Sequence, residues 1–236
     1  MSNTYRPVLW NRQKKIYDRI ILGLVLLYIL VFAGLQMFFF PNISIETLII
    51  RATGSLAFLM LHIVLCIGPL SRLNPLFLPL LYNRRHLGVI LFLIALIHGI
   101  FNLIQFHALG NVNPLLSLFT SNTHYDSFAN FPFQTLGFFA LLILFVMAAT
   151  SHDFWLKNLS PKVWKSLHMM VYFAYALLLL HVFLGIAQLE TAPLRIGLLA
   201  LGLFTVSGLH LSAAILEKRK SQNPAPPNND GFVPVC

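Results

Sequence analysis

Six long apolar stretches, each interrupted by almost no charged residue, constrain this sequence more than any other feature. A helix needs about 20 mainly apolar residues to cross the hydrocarbon core of a bilayer. Only 10% of the 236 residues are charged and 58% are hydrophobic, whereas soluble domains carry about a quarter charged residues. We therefore predict an all-α, polytopic membrane bundle of six transmembrane helices. The stretches are Arg19–Phe40, Leu48–Ile67, Leu87–Phe106, Thr135–Thr150 with a few residues upstream, Leu167–Ala187 and Leu194–Ala214.

The net charge of +9 is distributed in a way that predicts the orientation of the bundle. Basic residues mark every second connection, and the segment 107–131 has neither Lys nor Arg. Cytoplasmic loops of membrane proteins carry this excess, so we predict a multi-pass inner (plasma) membrane protein with both termini cytoplasmic. Membrane lipid is then its surroundings, and the pattern gives no support for a nucleic acid partner. The basic residues of these connections and of the two terminal segments are Arg6, Arg12, Lys14, Lys15, Arg19, Arg72, Arg84, Arg85, Lys157, Lys162, Lys165, Lys218, Arg219 and Lys220.

The domain organisation predicted from these patterns is simple. Residues 1–18 form a cytoplasmic N-terminal segment, and residues 19–220 form the six-helix transmembrane domain. Residues 221–236 form a proline-rich cytoplasmic linker or tail. Its apolar end, 232–236, is either a frayed tail or the start of a truncated further domain. We detect no internal repeat in the sequence.

Histidine is the residue type that can carry chemistry inside the predicted bundle. All seven Asp and Glu residues fall at the ends of spans or in loops, which argues against a buried carboxylate relay for protons. The predicted topology places His98 and His181 in the outer half of the bilayer. It places His62 and His168 in the inner half. We therefore predict two layers of paired histidines.

Paired histidines from different helices are typical of haem sites. A neutral imidazole donates a lone pair to iron, and two axial imidazoles leave no open position, so such an iron passes electrons. The alternative for any one buried histidine is a hydrogen bond to a neighbouring helix. His86 is the reserve candidate for the inner layer. The remaining histidines are predicted to be solvated loop residues (His107, His124, His152) or structural (His210).

Several short strings, in this order and spacing, resemble the ferric-reductase-like transmembrane (cytochrome b) family. Within it the sequence is most similar to the haem-binding membrane subunits of bacterial methionine sulfoxide reductase systems. The resemblance covers about Arg51 to His181. The strings are Thr53-Gly54, Gly68-Pro69-Leu70, Arg84-Arg85-His86-Leu87-Gly88 with His98, Pro132-Phe133-Gln134-Thr135-Leu136-Gly137, Thr150-Ser151, and Trp164-Lys165-Ser166-Leu167-His168 with Tyr172 and His181.

This resemblance implies b-type haem bound by His98, His168 and His181. The family does not rely on a histidine at the position of His62. The third span offers only His98 and the marginal His86, so the inner haem's second ligand is open between His62 and His86, and the chain holds either one haem or two.

The function implied is electron transfer across the bilayer, as the electron-transfer subunit of an oxidoreductase. The donor would be a cytoplasmic flavin reductase or quinol, and the acceptor a redox partner. The sequence has no GxGxxG fingerprint for a nicotinamide domain. Quinol or external flavin would then be the additional cofactor that supplies the electrons.

The competing prediction is a non-redox membrane transporter or scaffold, with histidines that are structural or that bind a transition metal. Secondary transporters usually contain broken helices and inverted repeats, and the sequence gives no sign of either. Iron held as protoporphyrin, as opposed to free zinc or copper, would distinguish the two classes.

Overall fold

The computed structural model describes residues 12–121, 131–189 and 193–222, and this part of the chain is helical without any strand. His124, most of the N-terminal segment and nearly all of the proline-rich tail lie outside the described residues. The eight helices are α1 (Arg12–Phe39), α2 (Ile45–Leu73), α3 (Leu78–Leu103), α4 (Pro114–Thr120), α5 (Phe133–Ala149), α6 (Asp153–Asn158), α7 (Pro161–Leu189) and α8 (Pro193–Gln222).

Each of the six predicted apolar segments is a helix, which confirms the all-α prediction. Five of the helices are long and apolar enough to cross a membrane. The helix from the fourth segment, α5, has 17 residues, so six spans and cytoplasmic termini stay predictions. Several helices extend past the predicted apolar limits, because polar residues outside the hydrocarbon can continue a helix. As a result α8 includes Ser221 and Gln222, the first residues of the predicted linker.

Helix α2 lies at the centre of the bundle and packs against α1, α3 and α8, while α5 packs against α3 and α7. The buried core joins α2 to α3, α7 and α8. Leu61 and Leu65 of α2 are almost fully buried. A central helix that is apolar on several faces can contact several neighbours at once, so α2 fixes the positions of the helices that carry the histidines.

The ends of α2 and α3 are set by local signals. The Ser44 hydroxyl caps α2 by accepting a hydrogen bond from the backbone N–H of Thr47. A 3-10 turn, Pro75–Phe77, joins α2 to α3. The last turn of α3 continues as a π-helical segment, Ile104–Ala108. The π-helical segment turns the chain toward α4, which packs on it.

We use the term basic end for the end of the bundle at which α2 stops and α3 and α7 begin. Arg72, Arg84, Arg85, Lys162 and Lys165 all lie near it. The opposite end contains the first turns of α2 and α5, together with α4.

Candidate functional site

The imidazole rings of His98 on α3 and His181 on α7 face each other inside the bundle, toward the end opposite the basic end. Their ring centres are 6.4 Å apart and their planes are inclined at 84°. Both side chains are partly buried. Of the four histidines predicted to form layers, these are the two that the structure brings together.

A backbone carbonyl of α2 fixes the orientation of His98. The Nδ1 atom lies 2.9 Å from the carbonyl oxygen of Ile50. A carbonyl can only accept a hydrogen bond, so Nδ1 carries the proton and the lone pair of the neutral ring is on Nε2. The ring rests against Gly54, where an added Cβ would lie 2.7 Å from Nδ1. A side chain at position 54 would therefore push the ring away.

His181 is held by the same kind of contact on α5. Its Nδ1 donates to the carbonyl oxygen of Phe133 at 2.8 Å. The ring rests against Gly137, where an added Cβ would lie 2.7 Å from Cε1. Nε2 again carries the lone pair. Hydrogen bonds from Nδ1 to a carbonyl are the usual way in which proteins orient a histidine that binds a metal through its other nitrogen.

The two histidine anchors are copies of one arrangement, which corrects the prediction that the chain has no internal repeat. In each case 48 residues separate the histidine from the residue whose carbonyl it contacts. A glycine follows that residue by one helical turn, and a buried alanine follows the glycine (Ala57 and Ala140). The hairpins α2–α3 and α5–α7 thus form a repeat. Both α2 and α5 begin at the end opposite the basic end, so the repeat is not inverted.

Two imidazoles alone do not make a complete ion site. Proteins usually bind a bare transition metal with at least three or four side chains. In 12–121, 131–189 and 193–222 no group of three or more His, Cys, Asp or Glu residues could hold a metal ion. A metal bound by His98 and His181 would need its other ligands from a cofactor, and porphyrin supplies four nitrogens in a plane between two axial ligands.

The separation of the two rings fits axial coordination of one metal. A metal–imidazole bond is about 2 Å long, so the centres of two imidazoles on opposite sides of one metal lie roughly 6 Å apart. The observed separation is 6.4 Å. The two residues therefore fit a haem, which His98 and His181 would hold through their Nε2 atoms.

His168 lies near the basic end of α7 and faces α5. Its Nδ1 donates to the carbonyl oxygen of Trp164 at 3.0 Å, and its ring stacks on the Trp164 indole at 3.9 Å between centres. The Nε2 atom is 3.4 Å from the hydroxyl of Ser151, which is a long and weak contact. The nearby Arg85 forms an ion pair with Asp153 at 3.4 Å.

His62 has a different environment, since both of its ring nitrogens are engaged by the protein. Nδ1 lies 2.8 Å from the carbonyl oxygen of Phe58, and Nε2 accepts from the hydroxyl of Tyr175 at 3.1 Å. The ring also packs on Gly202. Within the described residues no ring contact joins His62 to His168, so this predicted pair is not brought together. Ligation by either residue stays a prediction.

The reserve candidate His86 lies beside Asp18, with 3.2 Å between Nδ1 and the carboxylate. His210 contacts Tyr172, with 3.0 Å between Nε2 and the hydroxyl. His152 is exposed and caps α6.

His107 was predicted to be solvated, and this is wrong. It is 3% exposed, with the Ser117 hydroxyl 2.9 Å from Nδ1 and the Gln134 amide oxygen 3.0 Å from Nε2. The π-helical segment at the end of α3 turns the ring inward, toward α4 and α5. The only sequence feature that could have indicated this buried contact is Gln134, which belongs to one of the strings shared with the family.

Comparison with known proteins gives a consistent result. Residues 53–179 match the family model described as ferric reductase like transmembrane component. The heme-binding subunit MsrQ of a protein-methionine-sulfoxide reductase from Herminiimonas arsenicoxydans is 34% identical over 133 residues, which is 56% of each chain. The corresponding MsrQ of Ralstonia nicotianae is 29% identical over 131 residues, 56% of this chain and 55% of that protein. The matched region thus spans little more than half the length of these relatives. No solved structure matches the chain.

Proposed function

This chain belongs to the ferric-reductase-like transmembrane family, and we propose that it is a b-type haem protein that transfers electrons across the bilayer. The observation that carries the proposal is the pair His98 and His181, whose rings stand 6.4 Å apart on two different helices. The relatives named above are heme-binding subunits, which agrees with a haem at this pair.

In this proposal His98 and His181 would hold an outer haem. Bound haem supplies an iron that alternates between the ferric and ferrous states and carries one electron at a time. The protein's own residues do the positioning. The carbonyls of Ile50 and Phe133 hold the protons on Nδ1, so that the lone pair of each neutral ring is on Nε2 and free to bind a metal. Gly54 and Gly137 leave room for the rings to keep that orientation.

Two imidazoles from His98 and His181 would leave a bound haem no open position for a substrate or oxygen, so the chemistry that the group would supply is electron transfer. Buried apolar side chains of α2, α3 and α7 form the core of the bundle, and such an apolar shell would limit the access of solvent to a bound cofactor.

We place the electron entry at the basic end, near His168. Its Nε2 has only the weak Ser151 contact, so it can ligate a second haem, with His62 or His86 as the open choice for the other ligand. The donor in this scheme is a cytoplasmic flavin reductase or quinol. The acceptor is a redox partner on the outer side, and the names of the relatives favour a methionine sulfoxide reductase.

The membrane arrangement in this proposal has six spans, with both termini in the cytoplasm and the protein in the inner membrane. Five helices meet the length and hydropathy needed to cross a bilayer. The 17-residue α5 packs against α3 and α7 and would be the sixth span. The excess of basic residues at one end supports the orientation.

Spectroscopy of the purified full-length protein tests the proposed function. We expect reduced-minus-oxidised spectra with a b-type α-band, and a pyridine haemochrome assay that gives one or two haems per chain. Replacement of His98 or His181 by Ala should remove the outer haem, whereas replacement of the exposed His152 should not. A wild-type protein with no b-type α-band would contradict the proposal.

A further inference from the structure

A cavity of about 290 Å³ lies at the basic end of the bundle, between α2, α3, α7 and α8. It is separate from the pair His98 and His181, which lies toward the other end, and it is at the same end of the bundle as His168. Arginine, tyrosine, histidine and serine side chains contribute to its wall together with apolar side chains, at the end of the bundle where basic residues are concentrated. The residues that matter for the argument are Arg72, Arg84, Tyr172 and His210.

Arg84 gives the cavity an uncompensated positive charge. In the described part of the chain no carboxylate forms an ion pair with Arg84, whereas Arg72 pairs with Glu217 and Arg85 pairs with Asp153, each at 3.4 Å. The Arg84 side chain is partly buried and reaches over Gly68, where an added Cβ would lie 3.5 Å from Nη1. A partly buried guanidinium without a carboxylate partner favours an anionic ligand.

The other polar groups of the cavity do not neutralise this charge. The Nδ1 atom of His210 is 2.9 Å from the carbonyl oxygen of Val206, so it carries the proton. Nε2 then accepts from the hydroxyl of Tyr172 at 3.0 Å. The Ser71 hydroxyl donates to the carbonyl oxygen of Gly68. These groups are hydrogen-bonded and none of them carries a negative charge, and the cavity wall therefore stays positive.

The cavity is bordered by apolar side chains that are exposed on the outer surface of the bundle. Leu81 is 42% exposed and Tyr172 is 40% exposed. A ligand that fits here has an anionic group that meets Arg84 and an apolar body that lies along the exposed side chains. Basic pockets between transmembrane helices at the cytoplasmic boundary bind the head groups of acidic lipids. We propose that Arg84 and this cavity bind the phosphate of an anionic phospholipid.

Native mass spectrometry of the detergent-purified, haem-loaded protein tests this inference. The protein is incubated with phosphatidylglycerol or with phosphatidylcholine of the same acyl chains. We expect the wild type to retain phosphatidylglycerol at higher detergent concentration than phosphatidylcholine. The Arg84→Gln variant should lose this retention by about five- to tenfold, and Arg84→Lys should keep part of it.

The matched control is Arg19→Gln, which removes one exposed cation of α1 outside the cavity and should retain lipid like the wild type. Equal retention in Arg84→Gln and the wild type would overturn the inference. So would equal losses in the Arg84→Gln and Arg19→Gln variants, because they would indicate a general charge effect.

Two further measurements distinguish binding of a lipid by Arg84 from binding of a soluble phosphate and from contact with the cofactor. Inorganic phosphate or glycerol 3-phosphate that displaces the lipid at micromolar concentration would identify a soluble phosphate ligand and overturn the lipid assignment. Haem content is measured in every sample. A loss of haem from Arg84→Gln with lipid retention unchanged would instead place Arg84 beside the cofactor. Lipid selectivity can fail while the haem spectra remain as proposed, so failure of this inference is distinguishable from failure of the proposed function.

Discussion

The ring planes of His98 and His181 are nearly perpendicular, at 84° to each other. Perpendicular axial imidazoles leave two iron d orbitals nearly equal in energy, which makes the low-spin ferric signal strongly anisotropic. We expect the electron paramagnetic resonance spectrum of the oxidised protein to contain a low-spin signal with one very large g value. This signal should disappear in His98→Ala and in His181→Ala. A rhombic signal of the kind given by parallel imidazoles would contradict the geometry.

Substitution of Gly137 by Ala should weaken haem binding, because the new Cβ would lie 2.7 Å from Cε1 of His181. Displacement of a ligand through its supporting contacts typically reduces affinity by about 10- to 100-fold. Titration of haem into the apoprotein measures the change. The matched control is Gly88→Ala, since no atom lies within 4 Å of a Cβ added there. Equal haem affinity in the two variants would show that His181 does not need this space.

Replacement of His62 by Leu should leave the perpendicular low-spin signal unchanged, since His62 lies against Phe58 and Tyr175. It should lower thermal stability, because the Tyr175 hydroxyl loses the acceptor at 3.1 Å. An unsatisfied buried group costs about 1–3 kcal/mol. Thermal unfolding of the variant, compared with Tyr175→Phe and the double variant, measures the coupling. Loss of one haem per chain on replacement of His62 would instead identify His62 as the inner ligand.

The buried contact between His107 and Gln134 should couple α3 to the start of α5. Nε2 and the amide oxygen are 3.0 Å apart, and residues in direct contact show interaction energies of about 0.5–3 kcal/mol in double-mutant cycles. We expect His107→Ala and Gln134→Ala together to destabilise the protein by less than the sum of the single effects. Strictly additive losses in thermal unfolding would exclude a direct interaction.

The helices could be predicted from the sequence, since hydropathy is a property of a local window. The predicted segments Leu48–Ile67 and Leu167–Ala187 lie inside α2 and α7, and the others are found in the same order. Helix ends were predicted less well. The polar turns at Arg12 and Gln222 continue the helix after the apolar signal has ended, and hydropathy contains no information about them.

The pairing of His98 with His181 could also be predicted, because alternation of the helix direction sets the depth of each residue. Depth alone does not determine which face of a helix a residue occupies. His62 and His168 share a predicted depth, yet they contact Tyr175 and Trp164 and not each other.

The repeat and the burial of His107 could not be predicted from the sequence. The repeated carbonyl contacts come from Ile50 and Phe133. Every residue has a backbone carbonyl, so the residue type does not indicate which carbonyl accepts the hydrogen bond. The π-helical segment Ile104–Ala108 shifts the direction of His107, and no residue type in that segment signals it.

The repeated hairpins have a consequence for biosynthesis. One imidazole of the pair is supplied by the first hairpin and the other by the second, 83 residues later in translation, as the positions 98 and 181 show. A nascent chain that contains only α1, α2 and α3 has one imidazole of this pair. If haem is held by His98 and His181 as proposed, its loading would have to wait until α7 has been synthesised, and a chain stalled before that point would not retain it.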